Sequence, residues 1–177
     1  MFYYWYRVSR ILLARNFQKQ VDIQTELSRK FTVRLLDCDG MRVMTASQYA
    51  AYMDFIRWEM IARSRLYQEI VLKGLAPTLG SQKIIYRKPL KRWTSFTLKL
   101  RTAGWDEKWI YHIHQFEQKG EIKAVGVTKA LIWKKDKPQL LQHILKKIGV
   151  QDLHNPPPDW VSHLFQHDGD ILSGRLE

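Results

Sequence analysis

One segment limits how this chain can fold more than any other. Residues 47–74, SQYAAYMDFIRWEMIARSRLYQEIVLKG, contain no Pro, and no Gly before Gly74. Ser47 suits an N-cap and Gly74 a helix stop, so the spacing predicts one long helix. Tyr49, Met53, Ile56, Met60, Tyr67 and Val71 follow one helical stripe, and Tyr52, Phe55, Ala62, Leu66 and Ile70 follow a second. A helix with two apolar stripes has to be covered over most of its surface.

The cover reads as strands. Phe31, Val33 and Leu35 point one way while Lys30, Thr32 and Arg34 point the other, which predicts a strand that runs into a turn at Leu36–Gly40. Ser81–Arg87 forms a second strand, limited by Pro89. Phe96–Arg101 and Trp109–His114 alternate, and Glu121–Trp133 follows a hairpin turn at Lys119-Gly120. Gln139–Ile148 reads as a short helix, Asn155–Pro158 as a linker, and PDWVSHLF as a helical turn docked through Trp160 and Leu164. The last ten residues read as loose. Consecutive strands with short connections pair antiparallel, so the order predicts an α+β fold, one sheet wrapped around one helix.

Charge narrows the partner. The 177 residues hold 29 Lys+Arg against 17 Asp+Glu, a net of +12. Five acids beyond Val150 against the lone Arg175 leave the tail at −4, so residues 1–150 carry +16. Between Gln82 and Arg101 there is no acid, but seven bases: Lys83, Arg87, Lys88, Lys91, Arg92, Lys99 and Arg101. That run is either a solvated sheet edge or a patch that receives phosphates. Cys38 is the only cysteine, which excludes an internal disulfide and a cysteine zinc site. Flanking acids disfavour its thiolate as a nucleophile. His112 and His114 share a strand face but lack an apparent third metal ligand, so they read as solvated or packed, and no metal is expected. Trp93, Trp105 and Trp109 lie near bases and could stack nucleobases, yet no RNA-binding signature, Walker loop, GxGxxG or GxSxG is present, and nucleic acid is not the expected partner. Residues 1–20 mix Trp and Tyr with Arg7, Arg10, Arg15 and Lys19, as in an interfacial helix at a membrane surface or one that packs on its own sheet.

The richest chemistry lies at the strand–helix junction. Asp37 and Asp39 precede a helix start whose free N–H groups would hold an oxyanion, and a carboxylate there can attack a carbonyl or activate water. Acids beside a helix start are also ordinary capping and turn residues. The run Asp37-Cys38-Asp39-Gly40-Met41-Arg42-Val43-Met44, then a long helix and Tyr86-Arg87-Lys88-Pro89-Leu90, resembles hotdog-fold acyl-CoA thioesterases of the 4-hydroxybenzoyl-CoA thioesterase type. Ile85–Leu90 together with Gly104-Trp105-Asp106-Glu107-Lys108-Trp109 is similar to the thioesterase superfamily member six-like branch, over about residues 28–148.

The resemblance implies a hotdog fold with a hotdog domain at 28–149, an N-terminal helical extension at 1–27 and an acidic C-terminal extension at 150–177 with a short helix. It implies a homodimer or dimer of dimers whose sheets join, an acyl-CoA substrate and no cofactor beyond the coenzyme A of that substrate; a cytoplasmic location is expected, with peripheral membrane contact through residues 1–20 as the alternative. Asp39 matches the catalytic carboxylate, backbone N–H groups of Ala46 and Ser47 the oxyanion donors, and Arg87, Lys88, Lys91 and Arg92 the bases for coenzyme A phosphates. Arg42 stands where relatives carry Gly, in a tight loop that calls for φ > 0. Val43 takes the His position, and Thr45 and Ala46 the two Asn positions.

Overall fold

A computed structural model describes residues 2–175. The elements are α1 (Phe2–Ala14), β1 (Leu27–Thr32), α2 (Ala46–Arg63), β2 (Ala76–Tyr86), β3 (Ser95–Trp105), β4 (Ile110–Gln118), β5 (Glu121–Lys134), β6 (Lys137–Gln139), α3 (Leu141–Lys147), α4 (Asp159–His163) and α5 (Asp168–Leu172). All strand pairs are antiparallel, in the order β1-β3-β4-β5-β2, with β6 on the end of β5. The sheet packs on α2, where Tyr52, Met53 and Ile56 are wholly buried. This is the hotdog arrangement that the resemblance implies. Each such side chain contributes about 1.5–3 kcal/mol of burial.

The long helix is shorter than the pattern predicts. It begins at Ala46 after Thr45 and ends at Arg63, because Ser64 turns extended and the segment at 18–21 takes the exposed helix end. Val21 N–H donates to the Arg63 carbonyl at 2.9 Å, and Arg63 Nε donates to the Lys19 carbonyl at 3.1 Å. Residues 67–71 then form a separate wide turn that Gly74 (φ +65°) closes. Likewise β1 stops at Thr32. Asp37 Oδ2 accepts the Arg34 N–H at 2.7 Å and folds 35–37 into a 3₁₀ turn, so Val33 is buried while Leu35 is exposed. β2 starts five residues earlier than expected and tolerates Pro77 because it is a sheet edge. The pattern of 139–148 hid β6: Lys135 takes φ +54° and turns the chain back onto β5 before α3 begins.

The inner face of the sheet is covered by α2, and part of the outer face by the C-terminal segment. α1 lies on α2, and the Arg7 guanidinium sits 4.8 Å from the Tyr52 ring centroid and 4.6 Å from that of Phe55. On the outer face Tyr111, Ile113 and Val127 meet the C-terminal segment. That segment docks through Val161 and Phe165 rather than Trp160, which is half exposed, and Leu164, which is only partly buried. Residues 168–172 form a helical turn tied by the 2.6 Å ion pair of Asp168 with Lys129; residues 176–177 of the predicted loose end lie outside the described residues.

Inside the sheet, β5 turns small residues toward α2 at Ala124, Gly126, Thr128 and Ala130. Gly126 is required there: a Cβ would stand 2.4 Å from Met53 Sδ.

Candidate active site

The loop between β1 and α2 separates its two acids. Asp37 is buried, and its Oδ2 accepts the Arg34 N–H and the Tyr52 hydroxyl, both at 2.7 Å. Burial and the Asp37 carboxylate raise the Tyr52 pKa despite the nearby Arg7 charge. Cys38 pairs with Met44 across a short hairpin whose tip is Asp39–Arg42. Asp39 is exposed; its Oδ1 accepts the Met41 N–H at 2.9 Å and its carbonyl accepts the Arg42 N–H at 3.1 Å. Asp39 therefore forms the turn, and its other carboxylate oxygen is unengaged among the described residues. Arg42 sits at φ +61°, the conformation its Gly-equivalent position calls for. The hairpin is pinned by Met44 N–H on the Leu90 carbonyl and Arg92 N–H on the Arg42 carbonyl, each at 2.9 Å. Partial burial first, and Asp37 second, raise the Cys38 thiol pKa.

The start of α2 opens on a cleft of about 260 Å³ lined by Met44, Ala46, Tyr49, Tyr86, Arg87 and Lys88. No side chain caps this helix: Thr45 Oγ1 bonds Ser47 Oγ at 3.0 Å instead of reaching an amide, which corrects the expectation of Ser47 as N-cap. Among the described residues no acceptor meets the Ala46 or Ser47 N–H, so both keep the positive end of the helix available to an anion. Tyr49 is fixed beside them, because its hydroxyl accepts the Leu90 N–H at 3.1 Å.

The four predicted phosphate-binding bases divide. Arg87 and Lys88 line the cleft with Ala46. Lys88 also meets Glu121 at 2.5 Å, and the hydrogen bonds of Glu121 to Lys123 and Lys88 hold its pKa down to about 2. Lys91 lines a different depression with Lys30, Thr97 and Lys119. Arg92 leans over the exposed Trp93 at 5.8 Å. Neither Asp39 nor Ser47 lines the cleft.

Sequence reasoning missed a second region. Between the later half of α2 and strands β2, β4 and β5 lies a cavity of about 420 Å³. On β5 the small inward residue Ala130 forms part of its wall. Asp54, Arg57 and His112 line it among apolar side chains, and Asp54 pairs with Arg57. His112 and His114 are packed rather than solvated; burial first, and the Arg57 charge second, lower both pKa values, that of His112 to about 3. No group of three metal-ligating side chains occurs among the described residues. Trp105 is a core residue and is not available to stack a base.

Comparison with known proteins fits this geometry. The family profile of the thioesterase-like superfamily matches residues 33–163, from the end of β1 to α4. The chain belongs to that superfamily. Within this thioesterase-like family, Protein THEM6 of Xenopus laevis is 30% identical over 115 residues, 64% of this chain, and the match spans only 56% of that relative. A hypothetical protein from Thermus thermophilus superposes with a TM-score of 0.64 at 21% identity, over 72% of this chain and 98% of its own. A DHNA-CoA thioesterase from Staphylococcus aureus superposes at 0.62 and 17% identity, over 86% and 97%. At these identities the superpositions establish the hotdog fold. No helix among the described residues is long and apolar enough to cross a membrane.

Proposed function

We propose that this chain is an acyl-CoA thioesterase that hydrolyses a thioester to a carboxylic acid and free coenzyme A. The observation that carries the reading is the uncapped start of α2, which faces a cleft with Arg87 and Lys88 on its wall. The superfamily and the structural likeness to a DHNA-CoA thioesterase support it.

In this mechanism the free carboxylate oxygen of Asp39 takes a proton from water while the water oxygen adds to the thioester carbonyl. Negative charge gathers on the carbonyl oxygen, where the Ala46 and Ser47 N–H groups stabilise it. Collapse breaks the C–S bond, and the thiolate of coenzyme A takes up the proton. Arg87 and Lys88, on the cleft wall, attract the phosphates. A homodimer joined at β2 suits the exposed Leu79, Ile85 and Tyr86 on that unpaired edge.

Turnover of an acyl-CoA panel tests the reading. Hydrolysis is expected in the wild type, with a fall of at least about 100-fold in kcat for Asp39→Asn. No hydrolysis across the panel rejects the activity, and an unchanged Asp39→Asn rate rejects that residue's role. Arg87→Glu should raise KM for acyl-CoA and leave KM for an acyl-pantetheine unchanged.

One observation favours a second reading, a non-catalytic acyl- or lipid-binding protein at a membrane surface. α1 and the turn after it expose Trp5, Leu13 and Phe17 beside Arg10 and Arg15. Flotation with anionic vesicles, with and without residues 1–20, separates the two, since indifference to the truncation rejects the anchoring.

A further inference from the structure

Four large apolar side chains stand in water at the end of the molecule that holds the start of α2. Leu35 and Leu36 lie on the turn after β1, Met41 at the tip of the 38–44 hairpin, and Trp93 in the loop before β3. Leu36, Met41 and Trp93 are 72%, 82% and 63% exposed. Backbone hydrogen bonds tie these segments into one surface. Trp93 N–H donates to the Val33 carbonyl and Arg92 N–H to the Arg42 carbonyl, each at 2.9 Å. Thr45 N–H donates to the Asp37 carbonyl at 3.0 Å.

Trp93 supplies a second observation. It sits at φ +65°, a conformation that bulky side chains rarely adopt. Its ring gains little burial in return, so folding alone gives no reason for a tryptophan there. Backbone strain of this kind collects where a side chain serves binding.

The surroundings are basic. Arg34, Arg42 and Lys91 are exposed and Arg92 partly so, and none of the four pairs with an acid among the described residues. Asp37 is buried within its turn, which leaves Asp39 as the exposed acid of the hairpin. Lys91 carries the charge into a depression with Lys30 and Lys119, whose one acid, Glu117, is paired with Lys99.

Charge and apolar exposure together select the partner. A nucleic acid would meet the bases and stack on Trp93, but Leu35, Leu36 and Met41 offer it nothing. An anionic bilayer uses both kinds of side chain. Headgroups meet the bases, aliphatic tips enter the acyl region, and a tryptophan rests at headgroup level. A second copy joined at β2 leaves this surface free, because Trp93 is tied to the end of β1, at the opposite edge of the sheet.

We propose that this end of the protein docks on an anionic membrane surface. Leu36, Met41 and Trp93 enter the bilayer, and Arg34, Arg42, Lys91 and Arg92 bind the headgroups. Met44 and Pro89, next to these segments in the chain, line the cleft at the helix start, so docking brings that cleft beside lipid. The contact uses no residue of α1 and requires no turnover, so it fails separately from hydrolysis and from anchoring by residues 1–20.

Sedimentation of the full chain at pH 7.5 tests it, with vesicles of phosphatidylcholine alone or with about 30% phosphatidylserine. Binding to the anionic vesicles is expected, at least about tenfold weaker on the neutral ones and weaker again in about 0.5 M salt. Trp93→Asn should weaken it at least about tenfold while the thermal melt holds or rises, because asparagine tolerates positive φ better than tryptophan. Met41→Ser, at the exposed tip, should weaken it about threefold or more and keeps the test decisive if Trp93→Asn fails to fold. Anchoring by α1 alone gives the reverse, loss in Trp5→Ser and none in Trp93→Asn, and overturns the proposal. So do binding indifferent to phosphatidylserine, tighter binding to a single-stranded oligonucleotide than to anionic vesicles, and a dimer that Trp93→Asn and Met41→Ser dissociate.

Discussion

The paired histidines on β4 should make this fold sensitive to mild acid. His112 and His114 are neutral inside the sheet, with pKa values pushed below the ordinary 6.5 by burial and by Arg57. In the unfolded chain both protonate as pH falls through 6.5, while His112 in the fold resists until about pH 3. The unfolded state therefore binds more protons across that interval. The folded state keeps its full stability above pH 6.5 and loses it as pH falls toward 3, by about 1.4 kcal/mol per pH unit for His112, with His114 adding in the same direction. At pH 4.5 His112 alone costs about 3 kcal/mol, a sizeable share of a domain's stability, and His114 acts in the same direction. Glu121 acts in a lower window, because its pKa of about 2 matters only as pH drops below the ordinary carboxylate range. Urea unfolding followed by circular dichroism between pH 7.5 and 4.5 measures the slope. The wild-type slope below pH 5.5 should exceed the roughly 1 kcal/mol per unit that a single buried histidine gives, and His114→Leu should be shallower. A wild-type unfolding free energy that is flat from pH 6.5 to 5, or an unchanged slope in His114→Leu, would refute the reasoning.

Other expectations concern the loop and the C-terminal strap. Tyr52→Phe removes one of two hydrogen bonds to the buried Asp37 carboxylate, and should cost about 1.5–3 kcal/mol and lower Tm by about 3–12 °C; a calorimetric shift under about 1 °C contradicts that. Arg42→Gly relieves a side chain held at φ +61° and should stabilise the protein by up to about 1 kcal/mol in urea unfolding. Gly104 combines φ +147° with a backbone so close that a Cβ would lie 2.5 Å from the Asn155 carbonyl oxygen. Gly104→Ala should cost about 2 kcal/mol or more and speed chymotryptic cleavage at Trp160.

How much of this was legible depended on range. The apolar stripes of α2 and the alternation of β3, β4 and β5 are local patterns, and the structure follows them. Helix ends were less legible because they answer to distant partners. Arg63 ends α2 where residues 18–21 meet it, and nothing near Arg63 signals that strap. The Lys119-Gly120 turn was readable because its positive φ angles suit Gly, whereas Lys135 takes φ +54° without such a residue and concealed β6. At the candidate site the pattern placed Asp37 and Asp39 side by side. Only packing against Tyr52 buries the one and leaves the other at a turn.

The sequence by itself determined the class of fold, the family and the sign of charge around the cleft, because periodicity, motif and composition are carried by neighbouring residues. It also held a trace of the packing on α2, in the small residues that recur at every second position of β5 from Ala124 to Ala130. Tertiary structure alone decided which polar groups share an interior. Arg57 and His112 are 55 positions apart and on different elements, and they line one cavity only because the sheet packs on α2. Burial then sets their chemistry, by withdrawing water from groups that would otherwise be ordinary surface charges.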